Sequence, residues 1–97
     1  MFEVSWTAEA QNSYESLRNG PARLKQYKAI KKCILLLAQD PRHPGLQTHE
    51  YESLVGPSGE KVFEAYAEQN TPAAYHVFWY YGPSRGMITI IAITPHP

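Results

Sequence analysis

The strongest constraint in this 97-residue sequence is its last third, from Gly59 to Pro97. It reads GEKVFEAYAE, then QNTP, AAYHVFWYY, GPSRG and finally MITIIAITPHP. Three runs rich in β-branched and aromatic residues are separated by two short segments of Asn, Pro, Gly and Ser, the pattern of a β-meander. The connections Gln69–Pro72 and Gly82–Gly86 are too short for a crossover helix, so these three strands are expected to be antiparallel neighbours.

Side chains alternate along a strand, so parity assigns the faces. In the first run Phe63, Ala65 and Ala67 share one face, and Val62, Glu64, Tyr66 and Glu68 share the other. A face with two carboxylates is expected to be the wetter one, which sends Phe63, Ala65 and Ala67 to the core. Val77 and Trp79 of the second run join them, as do Ile91 and Ile93 of the third. The outer face then carries Glu64, His76 and His96 beside Phe78, Tyr80, Ile88 and Ile90. Ionisable groups next to surplus apolar area predict a site or a partner surface, covered by a partner segment or a second copy of the chain.

Upstream, Phe2, Val4 and Trp6 alternate with Met1, Glu3 and Ser5, predicting a short strand. Thr7 is placed to cap a helix running to about Asn19, with Glu9 in its first turn. Gly20–Pro21 stops that helix and starts a second, from about Ala22 to Gln39, with Leu24, Tyr27, Ile30, Ile34 and Leu37 on one stripe. Lys25, Lys28, Lys31 and Lys32 crowd its other side, the pattern of a solvated face. Asp40–Pro41 ends the helix. PRHPGLQ is expected to cross the surface without regular structure. THEYESL reads either as a short edge strand or as a helical turn. The predicted fold is α+β: an N-terminal strand, a two-helix hairpin, then an antiparallel sheet of three to four strands. That order is β-α-α-β-β-β with one optional short strand, and the helices lie on one sheet face.

The length predicts one domain spanning residues 1–97. No run is long enough to cross a bilayer, and MFEVSWTAEA lacks the basic and apolar regions of a signal peptide. With a lone cysteine, Cys33, the expected location is the cytoplasm and no membrane partner is expected. Nine basic and nine acidic residues cancel, which argues against a strong overall attraction to nucleic acid. His43, His49, His76 and His96 show no tight ligand spacing, so no metal is expected.

The order of elements and several local phrases resemble the RelE/ParE family of bacterial type II toxins. The phrases are Trp6-Thr7 at the end of the first strand, the paired amphipathic helices, and Asp40-Pro41-Arg42. They continue with Ser53-Leu54-Val55-Gly56, with Tyr75-His76-Val77-Phe78-Trp79, and with a last strand ending near a catalytic side chain. The resemblance implies a cofactor-free ribonuclease, an mRNA interferase that cuts messenger RNA on the ribosome and is held in check by a cognate antitoxin protein. In that chemistry the 2′-hydroxyl attacks its own phosphodiester, assisted by a base, an acid and cations. The family's base falls on Glu52, its sheet arginine on His76 and its terminal acid on His96. Arg42, His49, Lys61 and Tyr66 are the expected substrate-binding residues.

The chain also departs from the family. Val62, Glu64 and Tyr66 stand where many interferases carry lysine or arginine, and a carboxylate at Glu64 repels a phosphate. His76 replaces a permanent bidentate cation with a group largely neutral near pH 7. No tyrosine or basic tail follows His96, as it does in some members. Each site residue has a plainer reading: Glu52 as a solvated carboxylate, His96 as a terminal residue without a role, His76 as a hydrogen-bonded strand histidine. Cys33, among Ile34, Leu35 and Leu36, reads as core packing rather than as a nucleophile. Three functional classes remain open: an endoribonuclease, a ParE-type toxin that poisons DNA gyrase by binding, and a catalytically lapsed binding module.

Overall fold

The architecture was analysed in a computed structural model, which describes residues 1–69 and 73–95. The order is β1 (Glu3–Trp6), α1 (Ala8–Asn19), α2 (Leu24–Gln39), β2 (His49–Val55), β3 (Lys61–Tyr66), β4 (Tyr75–Tyr81) and β5 (Met87–Pro95). The strands form one sheet in the order β1-β5-β4-β3-β2. All pairings are antiparallel except β1 with β5, which is parallel, and the helical hairpin carries the chain from β1 at one edge of the sheet to β2 at the other. The α+β expectation holds, with one strand more than the minimum. THEYESL resolves as strand β2, a seven-residue edge paired to β3.

Local chemistry sets the helix ends. The Thr7 hydroxyl accepts from the Ala10 backbone N–H at 3.1 Å and donates to the Ile91 carbonyl at 3.1 Å. One residue therefore caps α1 and ties it to β5. Pro21 opens a single 3-10 turn, Pro21–Arg23, before α2 begins, so the second helix starts two residues later than its sequence suggests. Leu24 is consequently left 52% exposed rather than joining the apolar stripe. The loop after α2 also contains a 3-10 turn, Pro44–Leu46, which buries Leu46.

Both helices lie against the face carrying Ala65, Val77 and Trp79, as parity requires. Ile30, Leu37, Ala65, Val77, Trp79, Ile88 and Ile90 have no measurable exposure, and Phe63, Val4 and Trp6 pack around them. Trp6 itself is only half-buried, its ring tilted against that of Tyr14 at 5.0 Å, and Tyr14 in turn meets Tyr27 at 5.2 Å. Parity fails in β5. Phe78 pairs with Ala92 but Trp79 pairs with Ile90, so Ile91 is an extra residue, a β-bulge. Beyond the bulge every side chain changes face. Ile88 and Ile90 therefore enter the helix-side core with Ile93, and Ile91 stays half-exposed, the reverse of the expected assignment. The apolar surplus expected on the outer face is absent, since the bulge moves Ile88 and Ile90 to the core and Phe78 and Tyr80 are themselves buried.

Cys33 is 4% exposed, and burial pushes its thiol up to about 12. The folded protein thus presents very little thiolate at neutral pH, and Cys33 is expected to react with iodoacetamide only as fast as the chain opens. Labelling at a rate independent of added urea supports neither the burial nor the packing role. Trp79 stacks on Phe63 at 5.1 Å and meets Tyr81 edge-on at 4.8 Å. Trp79→Ala is expected to destabilise by about 3–5 kcal/mol in urea unfolding, the cost of a large core cavity.

Candidate functional site

The outer face of the sheet, away from the helices, is organised around a carboxylate. Glu64 in β3 pairs with Phe78 in β4 and with His49 in β2, and Tyr66 pairs with His76. These registers bring His49, Glu64, Tyr66 and His76 onto one face of three adjacent strands. Glu64 is 5% exposed and His76 3% exposed. Glu64 Oε1 accepts from His49 Nε2 at 2.8 Å, and Oε2 is hydrogen-bonded to His76 Nδ1. The Tyr66 ring stacks on His76 at 4.2 Å and meets His49 at 5.7 Å. Below them Tyr51 packs edge-on against Phe78 at 4.8 Å, closing the face from the β2 side.

The carboxylate-bearing face is therefore not the wet one at Glu64. A buried carboxylate is tolerated where both oxygens are hydrogen-bonded to partners that can carry positive charge, and two imidazoles meet that condition. His49 is the accessible member, with its side chain 49% exposed. Its Nδ1 faces the Gln47 carbonyl at 3.2 Å while Nε2 faces Glu64. Both oxygens accept only, so an imidazolium satisfies both contacts at once. The contact to Gln47 is long and exposed, so water or a ligand oxygen can compete for Nδ1.

The expected site residues divide between this cluster and other places. His49, His76 and Tyr66 meet around Glu64. Glu52 is exposed on β2, between Glu50 and Val55 where the pairing with β3 slips, and it makes no hydrogen bond to the cluster. Arg42 and Lys61 lie elsewhere. The Arg42 guanidinium sits 5.4 Å over the Phe63 ring, on the helix-side face, and Lys61 Nζ is 3.8 Å from Glu50 Oε1. His96 lies outside the described residues. Among the described residues no group of three or more His, Cys, Asp or Glu side chains is arranged to hold a metal ion, and no helix is long and apolar enough to cross a membrane.

Glu64 is the residue that sequence reasoning misjudged, having been read as a charge that repels phosphate. Parity already placed it on the face of His76. What was missing was β2, whose strand character the sequence left open and whose His49 completes the arrangement. Removing the Glu64 carboxylate strands two buried or half-buried imidazoles. Glu64→Ala is expected to destabilise by about 3–5 kcal/mol, whereas Glu52→Ala should stay within about 0.5 kcal/mol in the same urea titration. Similar small effects of the two substitutions contradict the network.

No family model matches the chain, and no curated protein matches it. Solved structures do, over nearly its whole length. A YoeB/ParE toxin from Agrobacterium tumefaciens is 15% identical, with 98% of this chain and 99% of that chain covered at a TM-score of 0.69. A chain of the archaeal RelE–RelB complex from Pyrococcus horikoshii is 15% identical, with coverages of 97% and 93% and a TM-score of 0.64. The YoeB dimer from Staphylococcus aureus is 13% identical, with coverages of 99% and 98% and a TM-score of 0.60. Backbone similarity and end-to-end coverage agree on one conclusion: the chain has the RelE/ParE toxin fold.

Proposed function

We propose that this protein is the toxin of a bacterial type II toxin–antitoxin pair and acts on RNA as a metal-independent endoribonuclease. The observation that supports this reading best is the carboxylate–imidazole pair on the outer sheet face, Glu64 with His49, in which the working ring is half-exposed and its carboxylate partner is buried. Such a pair fixes the orientation of an imidazole, as proton transfer to a leaving group requires. In this reading the 2′-hydroxyl of the RNA attacks the adjacent phosphorus. Glu52, the exposed carboxylate three residues further along β2, takes the hydroxyl proton. His49 gives a proton from Nδ1 to the leaving 5′-oxygen. His76 holds the second oxygen of Glu64, and Tyr66 walls the ring stack. A cognate antitoxin is the expected partner, in keeping with the RelE–RelB complex among the structural relatives.

One observation favours a second reading, a toxin that acts by binding alone. Glu64 spends its charge on the two histidines, and Arg42 and Lys61 are turned to other partners, so among the described residues no lysine or arginine is dedicated to a phosphate at the cluster. The two readings separate in one assay. The nuclease reading predicts growth arrest on expression with cleaved messenger RNA, products ending in 2′,3′-cyclic phosphate, and cleavage that survives EDTA. His49→Ala and Glu52→Ala should each slow cleavage by about 10²–10⁴-fold. Growth arrest with intact messenger RNA, or equal toxicity of the wild type and His49→Ala, would leave the binding reading.

A further inference from the structure

The zero net charge conceals a segregation. Six of the nine basic residues, Arg18, Arg23, Lys25, Lys28, Lys31 and Lys32, lie within residues 18–32, and no Asp or Glu occurs between Glu15 and Asp40. All six are exposed, and none belongs to an ion pair among the described residues. The four lysines share the solvent face of α2, opposite Ile30, Ile34 and Leu37, which are buried against the sheet.

Stability does not account for this arrangement. Lys25–Lys28 and Lys28–Lys31 are i,i+3 neighbours and Lys28–Lys32 is an i,i+4 pair, spacings at which like charges repel. Lys25 also stands in the first turn of α2, where the helix macrodipole disfavours a cation and where no acidic residue offsets it. A face that weakens its own helix points to a ligand of opposite charge.

We propose that the solvent face of α2 is a docking surface for the phosphate backbone of folded, double-stranded RNA. Lys25, Lys28 and Lys32 follow one line over about 10 Å of helix, long enough to lie along several phosphates of one strand. Flexible point charges without a surrounding pocket suit sequence-independent phosphate contact. Single-stranded RNA is the poorer fit, because its binding relies on aromatic stacking and the one aromatic residue of α2, Tyr27, is engaged with Tyr14. The surface is on the opposite side of the sheet from the Glu64 cluster, so it binds RNA at a place distinct from the proposed cleavage site. It holds whether or not that site cleaves.

The test is fluorescence anisotropy of the full chain with a labelled RNA hairpin of about 16 base pairs, titrated at several salt concentrations. Lys25→Gln/Lys28→Gln/Lys31→Gln/Lys32→Gln should lose at least about tenfold in affinity near 0.1 M salt. Its plot of log K against log salt should be flatter by about 3, some 0.7–0.9 for each lost contact. Because these side chains are exposed and mutually repulsive, the variant should melt no lower than the wild type. The two double variants, Lys25→Gln/Lys28→Gln and Lys31→Gln/Lys32→Gln, should each lose part of the slope. Exposed Leu24 and Leu35 flank the lysines, so Leu24→Ser/Leu35→Ser separates the partner classes: RNA binding should survive it. No RNA binding by the wild type, an unchanged salt slope in the quadruple variant, or binding that depends on the leucines as a protein contact would, each overturns the proposal.

Discussion

The carboxylate of Glu64 is the constraint on which the outer half of the structure depends. A buried carboxylate needs both oxygens bonded, and each oxygen here is taken by an imidazole from a different strand. His76 reaches it from β4, the central partner of β3, and His49 reaches it from β2, the edge. Edge strands are the part of a sheet most free to slip or fray. In β2 the pairing with β3 is regular at His49 and Glu50 and irregular beyond them, so the ordered stretch is the one that includes the contact to Glu64. The same contact presents His49 to solvent in a defined orientation. Sheet architecture and candidate chemistry thus meet in one side chain.

Much of this fold was legible because two periodicities changed at clear punctuation. Thr7, Gly20–Pro21 and Asp40–Pro41 bound the helices, and the alternation in β3 and β4 assigned Ala65, Val77 and Trp79 to the core correctly. The reading broke where alternation itself breaks. A single extra residue at Ile91 inverts the faces of Ile88 and Ile90, and nothing in an all-apolar run such as MITIIAI marks where a bulge will fall. β2 was ambiguous for a related reason, since HEYESLV mixes charged and apolar residues without a dry face. Seven residues that are almost all exposed carry little periodic signal.

The site was half legible. His76 and Glu64 shared a face on parity alone, but a carboxylate next to a histidine reads as repulsion of substrate or as support for a catalyst according to what else touches it. That third partner, His49, comes from another strand, and its contact is a property of register rather than of spacing. Composition is equally silent on where charge lies. The total is balanced, yet six of the nine cations fall within residues 18–32 while exposed carboxylates such as Glu50 and Glu52 lie on the β2 edge. Net charge governs long-range attraction, whereas contact depends on the local field.

The account stands on Glu64 coupling both histidines, and double-mutant cycles measure that most directly. Glu64→Gln is combined in turn with His49→Gln and with His76→Gln, and the unfolding free energies are compared. Each pair should show a coupling of about 1–3 kcal/mol, as contacting groups in one network do. Coupling to His76 is expected to exceed coupling to His49, because His76 is buried and His49 is half-exposed. Additive effects within about 0.3 kcal/mol in both cycles would show that the carboxylate does not hold the two imidazoles, and would contradict the account.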